Sequence, residues 1–249
     1  MPLALNRRHL LSTGVAAGAA AVINPPISQG HEVSGTVPWS AGDANTPDFA
    51  RSGDYQFLTA AEVAFLDAAV ARLIPADDLG PGAKEAGATF FIDRQLAGPY
   101  GQAAHWYMQG PWASGEKTQG YQSRMTPAEL YRAAIKAVDE HCRSTLGGRE
   151  FTALSPDEQD KVLSGLEKGE IRLANTDAQT FFDALLQNTI EGYFSDPIYG
   201  GNRDMVGWKL IGFPGARYDY RDYVGRHNEK LALEPVGITG RPGWNPAKS

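Results

Sequence analysis

The sequence predicts a mostly α-helical, compact domain with long loops rich in glycine and aromatic residues, preceded by a signal segment and an extended arm. Three observations lead there. One helix-start device, a hydroxyl residue followed three positions later by glutamate, occurs at Thr59 and Glu62, at Thr126 and Glu129, and at Ser155 and Glu158. After each start the apolar residues recur at spacings of three and four, the period of one helix face. No stretch of useful length alternates apolar and polar residues as a half-buried strand would.

Residues 1–30 read as an export signal. Asn6-Arg7-Arg8-His9-Leu10-Leu11 is a twin-arginine pair followed by an apolar run from Leu10 to Ile23, built mostly of Ala and Gly, with small residues from Ala19 to Ala21. A bilayer span needs about 20 apolar residues in succession, so this run fits a signal and not an anchor. From Asn24 to Gly53 the composition turns to Pro, Gly, Ser and Asp. Residues 31–54 are therefore expected to form an extended linker or arm. Residues 55–249 are expected to be one helical domain with an irregular C-terminal tail.

Within that domain, Val63, Leu66, Val70 and Leu73 predict one apolar face, and Pro75 ends the helix. A second helix is expected between Ala83 and Leu96, with Phe90, Phe91 and Leu96 inward. The third starts with Pro127 in its first turn, carries Leu130, Ala134, Val138 and Cys142 on one stripe, and ends near Gly147-Gly148. The fourth starts at Ser155-Pro156, carries Val162, Leu163 and Leu166, and stops at Gly169. Asp177 then caps a strong helix in which Phe181, Phe182, Leu185, Leu186, Thr189, Ile190, Tyr193 and Phe194 face inward before Asp196-Pro197 breaks it.

Composition excludes several functions. A net charge of −6 without any basic run argues against nucleic acid. One cysteine, Cys142, forbids an internal disulfide. The chain lacks Gly-x-Gly-x-x-Gly after a strand, a phosphate-loop Gly-Lys-Ser/Thr, Cys-x-x-Cys-His and His-Glu-x-x-His. His9, His31, His105, His141 and His227 fall at no metal-ligand spacing. His141 and Cys142 are adjacent on a helix and point about 100° apart, so they do not form a nucleophile and base. The acid pairs Asp77-Asp78 and Asp157-Glu158 read as solvated surface. These residues predict no catalytic, cofactor-binding or metal site in this chain.

The stretch from Gly192 to Ala216 is the exception. It holds Tyr193, Phe194, Tyr199, Trp208 and Phe213 among glycines, and aromatics held by tight turns either plug a core or form a contact surface. Tyr193, Phe194, Tyr199, Asn202, Trp208 and Phe213 are the candidate partner-interface residues. A second aromatic loop, His105 to Trp112, carries the same two readings.

Phe57-Leu58-Thr59, the run Leu73-Ile74-Pro75 through Gly82-Ala83 to Phe91-Ile92-Asp93, and above all Tyr193-Phe194-Ser195-Asp196-Pro197-Ile198-Tyr199-Gly200-Gly201-Asn202 through Trp208 to Phe213-Pro214-Gly215 resemble the gluconate 2-dehydrogenase subunit 3 family. The resemblance covers roughly residues 55 to 225. It implies a non-catalytic small subunit of a periplasmic complex oxidising gluconate, sugars or polyols, peripheral to the inner membrane. The implied partners are an FAD-carrying large subunit of the glucose-methanol-choline oxidoreductase type, a multihaem cytochrome c subunit and the twin-arginine translocation machinery. FAD and haem c would then belong to those partners, with Arg7 and Arg8 addressing the complex for export. A free-standing exported enzyme and a periplasmic binding module are the alternatives left open by the residues themselves.

Overall fold

The computed structural model describes residues 55–113, 115–216, 220–230 and 233–238. Arg7, Arg8, the signal segment and the arm lie outside the described residues. The described residues form six α-helices: α1 (Ala60–Leu73), α2 (Ala88–Ala97), α3 (Pro127–Thr145), α4 (Pro156–Glu167), α5 (Ala178–Phe194) and α6 (Val206–Ile211). Short 3₁₀ turns punctuate the loops between them. No strand occurs among the described residues, only isolated bridges between Asp77 and Gly80 and between Gly215 and Val236. No helix among them is long and apolar enough to cross a membrane.

The three expected helix starts are present as reciprocal caps. Thr59, Thr126 and Ser155 each accept the N–H of the glutamate three residues on, and each gives its own N–H to that glutamate's carboxylate at 2.8–2.9 Å. Asp177 accepts the Thr180 N–H at 2.7 Å to open α5. Each cap satisfies amides that a helix start leaves without partners, contributing about 1 kcal/mol.

Helix α5 is central: it touches α1, α2, α3, α4 and α6. Its 17 residues span about 25 Å. Around it the core gathers Phe65, Leu66, Ile92, Leu130, Tyr131, Phe151, Phe181 and Leu185, all essentially buried. Each such side chain contributes roughly 1.5–3 kcal/mol by leaving water. The rings interlock, Phe65 on Phe151 at 4.7 Å and Tyr131 edge-on to Phe181 at 5.5 Å.

Three expectations shift. Helix α2 begins at Ala88, not near Ala83. Gly87 sits at φ 81°, and residues 83–87 form turns, with Ala88 N–H reaching Ala83 O. On α1, Phe65 and Ala69 join Leu66 and Val70 inside, while Val63 and Leu73 are only half-buried, so the buried stripe is rotated. On α5, Ile190 is exposed, because the helix buries a stripe running through Phe181, Leu185, Asn188, Thr189 and Gly192.

The segment before α1 is held by a buried carboxylate. Asp93 on α2 is fully buried and accepts the N–H groups of Gln56, Phe57 and Leu58 at 2.8–2.9 Å. From α3, Arg132 donates to Phe57 O at 2.7 Å and lies 4.2 Å over the Phe57 ring. Phe57-Leu58 is thus a clasp joining three helices.

Candidate functional site

The stretch that follows α5 folds back over that helix's last turn. Asn202 organises it: its N–H donates to Gly192 O at 2.8 Å, its Nδ2 donates to Ser195 O at 2.8 Å, and its Oδ1 accepts the Gly207 N–H at 2.9 Å. Tyr193 reaches the other way, donating its hydroxyl to Pro81 O at 2.9 Å. Arg203 N–H donates to Ala86 O at 3.0 Å, so the stretch is pinned to the turns before α2 as well. Asp196 accepts the N–H of Ile198 at 3.0 Å and of Ile238 at 2.7 Å, drawing the C-terminal segment onto the same end.

Close backbone contact explains two of the glycines. A Cβ on Gly201 would run into Gly192 O, and one on Gly207 into Tyr193 O. Asn202, Asp204 and Met205 all hold positive φ, between 45° and 55°. Non-glycine residues in that region cost of order 1–3 kcal/mol each and persist only where the surroundings over-determine them. Here the Asn202 bonds provide that determination.

The six candidate interface residues divide by burial. Tyr193 (2 % exposed), Asn202 (0 %) and Trp208 (6 %) are enclosed by the chain itself. Phe194 is half-buried and meets Tyr193 edge-on at 4.9 Å. Tyr199 (48 %) and Phe213 (44 %) face outward. Helix α6 adds two neighbours that sequence reasoning missed, Leu210 and Ile211, both exposed. Gly207 and Trp208 at its start are buried, and Trp208 donates its indole N–H to Phe194 O at 2.6 Å. A six-residue helix is too short to show a period, which is why the sequence did not reveal it.

The second aromatic loop lies elsewhere along α5. Trp106 stands between Tyr100, edge-on at 5.7 Å, and Tyr121, tilted at 5.0 Å. These rings and Trp112 form one wall of an open groove of about 990 Å³, whose other wall is the N-terminal half of α5 with Asp177, Thr180, Asp183 and Gln187. Thr180 and Gly192 are twelve residues apart, roughly 18 Å along the helix. The two aromatic stretches therefore form two sites.

A buried polar network supports the groove and was not foreseen. Asn188 Oδ1 accepts the hydroxyls of Tyr131 at 2.8 Å and Tyr100 at 3.1 Å, and its Nδ2 donates to Glu191 at 3.0 Å. Burial raises the Tyr131 hydroxyl well above the ordinary tyrosine range and raises that of Tyr100 as well. The only sequence signal was an asparagine within the apolar run of α5.

Cys142 is fully buried in α3, and burial pushes its thiol up to about 11. The thiolate is the reactive form, so this cysteine is a packing residue. Among the described residues no three His, Cys, Asp or Glu side chains come together in a way that would hold a metal ion.

Compared with known families, the sequence matches the model described as Gluconate 2-dehydrogenase subunit 3 over residues 60–215. No curated protein and no solved structure matches the chain. The matched range opens at the first residue of α1 and closes at Gly215, which bridges to Val236 beyond the folded-back stretch. It contains all six helices and both aromatic sites. The chain belongs to the gluconate 2-dehydrogenase subunit 3 family.

Proposed function

We propose that this chain is the non-catalytic small subunit of a periplasmic flavin-dependent dehydrogenase acting on gluconate, sugars or polyols. It binds the FAD-carrying large subunit, of the glucose-methanol-choline oxidoreductase type, and assists that partner's maturation and twin-arginine export. The observation that carries this reading is the division of labour between Gly192 and Ala216. Tyr193, Asn202 and Trp208 lock the stretch onto the end of α5 and the turns before α2, while Tyr199, Leu210, Ile211 and Phe213 are left exposed. Large apolar side chains held exposed on a rigid support are what a protein contact uses.

In this reading the redox groups belong to other chains. A c-type haem is attached through paired cysteines, and the one cysteine here is buried Cys142. The haem c of such a complex would sit in its cytochrome subunit and the FAD in its large subunit. In this reading the complex is peripheral to the inner membrane, and Arg7 and Arg8 are the export address of both proteins.

The test is co-expression of the full chain with an FAD-carrying large subunit of the glucose-methanol-choline oxidoreductase type from the same host, followed by cell fractionation. With Arg7→Lys and Arg8→Lys together, the large subunit is expected to remain in the cytoplasm, still bound to this chain. A large subunit that reaches the periplasm equally well with the double variant overturns the escort role.

A further inference from the structure

We infer that the groove between the 100–124 loop and the N-terminal half of α5 is a binding site for a short neutral saccharide. The inference stands apart from the partner reading, because the groove lies at the other end of α5 from Leu210, Ile211 and Phe213.

The lining sets the ligand class. One wall offers the aromatic surfaces of Tyr100, Trp106, Trp112 and Tyr121, and the other offers carboxylates, an amide and a hydroxyl from Asp177, Asp183, Gln187 and Thr180. A ligand that suits both walls must have apolar C–H faces to lie on rings and closely spaced hydroxyls to meet planar acceptors and donors. Pyranose rings have both. On that wall the Thr180 hydroxyl donates to Asp177 Oδ1 at 2.8 Å and Gln187 Nε2 to Glu191 at 2.9 Å, and a purely apolar ligand would strip water from the carboxylates of Asp177 and Asp183, which is costly. A phosphate- or carboxylate-bearing ligand would meet two carboxylates against one guanidinium, that of Arg124. The lining therefore disfavours an anion, and among uncharged ligands a saccharide suits both walls.

Size and support agree. A volume of about 990 Å³ is at the upper end for small-molecule sites, which run roughly 300–1,000 Å³, so it holds more than one sugar ring. The aromatic wall is braced from behind and within. Tyr100 is tied through Asn188 to buried Tyr131, and the Tyr121 hydroxyl donates to Met125 O at 2.8 Å. Gln122 stitches the loop across itself, accepting the Gly115 N–H at 2.7 Å and donating to Glu116 O at 2.8 Å. Rings held this way lose little freedom when a ligand settles on them.

The full chain, purified alone, would be titrated by calorimetry with maltotriose, cellotriose, gluconate and a proline-rich peptide. At least one neutral trisaccharide is expected to bind saturably, with gluconate about tenfold weaker or worse. Trp106→Ala should weaken that binding by about tenfold or more, with Trp106→Phe restoring part of it. Because Trp106 also packs on Tyr100 and Tyr121, Gln187→Ala on the exposed α5 wall serves as the second variant, and it too should weaken binding while the melting temperature stays unchanged. The inference is overturned if neither trisaccharide binds saturably, if both alanine variants bind as the parent does, or if the proline-rich peptide occupies the groove and the sugars do not.

Discussion

Trp208 donates its indole N–H to Phe194 O and meets the Phe213 ring edge-on at 5.1 Å, with 6 % of its surface exposed. Its first role is therefore internal. Trp208→Ala would leave a cavity and an unpaired carbonyl, and the expected loss is about 3–5 kcal/mol of stability. Urea unfolding of the full chain measures this, and a midpoint equal to the parent's would remove Trp208 from the core. Tyr199→Ala, by contrast, should move stability by no more than about 0.5 kcal/mol, as exposed substitutions do. At this scale the sequence singled out the stretch but not which of its rings turn inward. Glycine turns and three positive-φ residues interrupt any period, so facing is decided by the Asn202 bonds, which link residues far apart in the folded stretch. Cys142 was legible because it continues a regular helical stripe.

Among the elements, helices with strong local signals were read accurately. The reciprocal caps at Thr59, Thr126 and Ser155 involve residues three apart, and nothing distant can hide them. The start of α2 was misplaced because Ala83 to Gly87 has helix-forming composition while its geometry is set by contact with Ile74 and by Gly87's positive φ. Helix α6 was missed for lack of length, yet it carries the most specific prediction at this scale. Ile211 is 61 % exposed although it stands one turn on from buried Trp208. Ile211→Asp should leave the melting temperature unchanged and weaken association with the large subunit by about 2 kcal/mol or more, the range of interface anchors. Binding measured by surface plasmon resonance decides it. Unchanged affinity in both Ile211→Asp and Phe213→Asp would put the partner on another face.

Across the whole molecule, stability rests on a core around α5 that keeps several weak acids protonated. The arrangement of helices about α5 depends on long-range contacts such as Tyr131 with Asn188 and Asp93 with Phe57, which no local pattern announces. Burial in that core sets the alkaline pH response. Burial raises the Cys142 thiol from its ordinary value of 9.0 to about 11, with Asp139 adding to the rise, and burial raises the hydroxyls of Tyr131, Tyr100 and Tyr193. Above pH of about 9 the unfolded chain releases these protons while the folded chain retains them, so the unfolded state binds fewer protons and stability falls as pH rises. For Cys142 the loss runs from its unfolded value up to about 11 and amounts to at most about 3 kcal/mol. On the acid side the sign reverses. The Arg149 guanidinium holds Glu158 down to about 2, so that pair's stabilisation is complete above the ordinary glutamate range and disappears as pH falls through about 2. The pair is exposed and screened by salt, so the alkaline limb dominates. Melting temperatures are expected to be level from about pH 6 to 8 and to decline above about pH 9. Cys142→Ala should lower the melting temperature at neutral pH by removing a packed sulfur, yet make the decline between about pH 9 and 11 shallower, because one retained proton is gone. A Cys142→Ala profile parallel to the parent's through that interval would show that the thiol titrates alike in both states and that the core around α3 admits water.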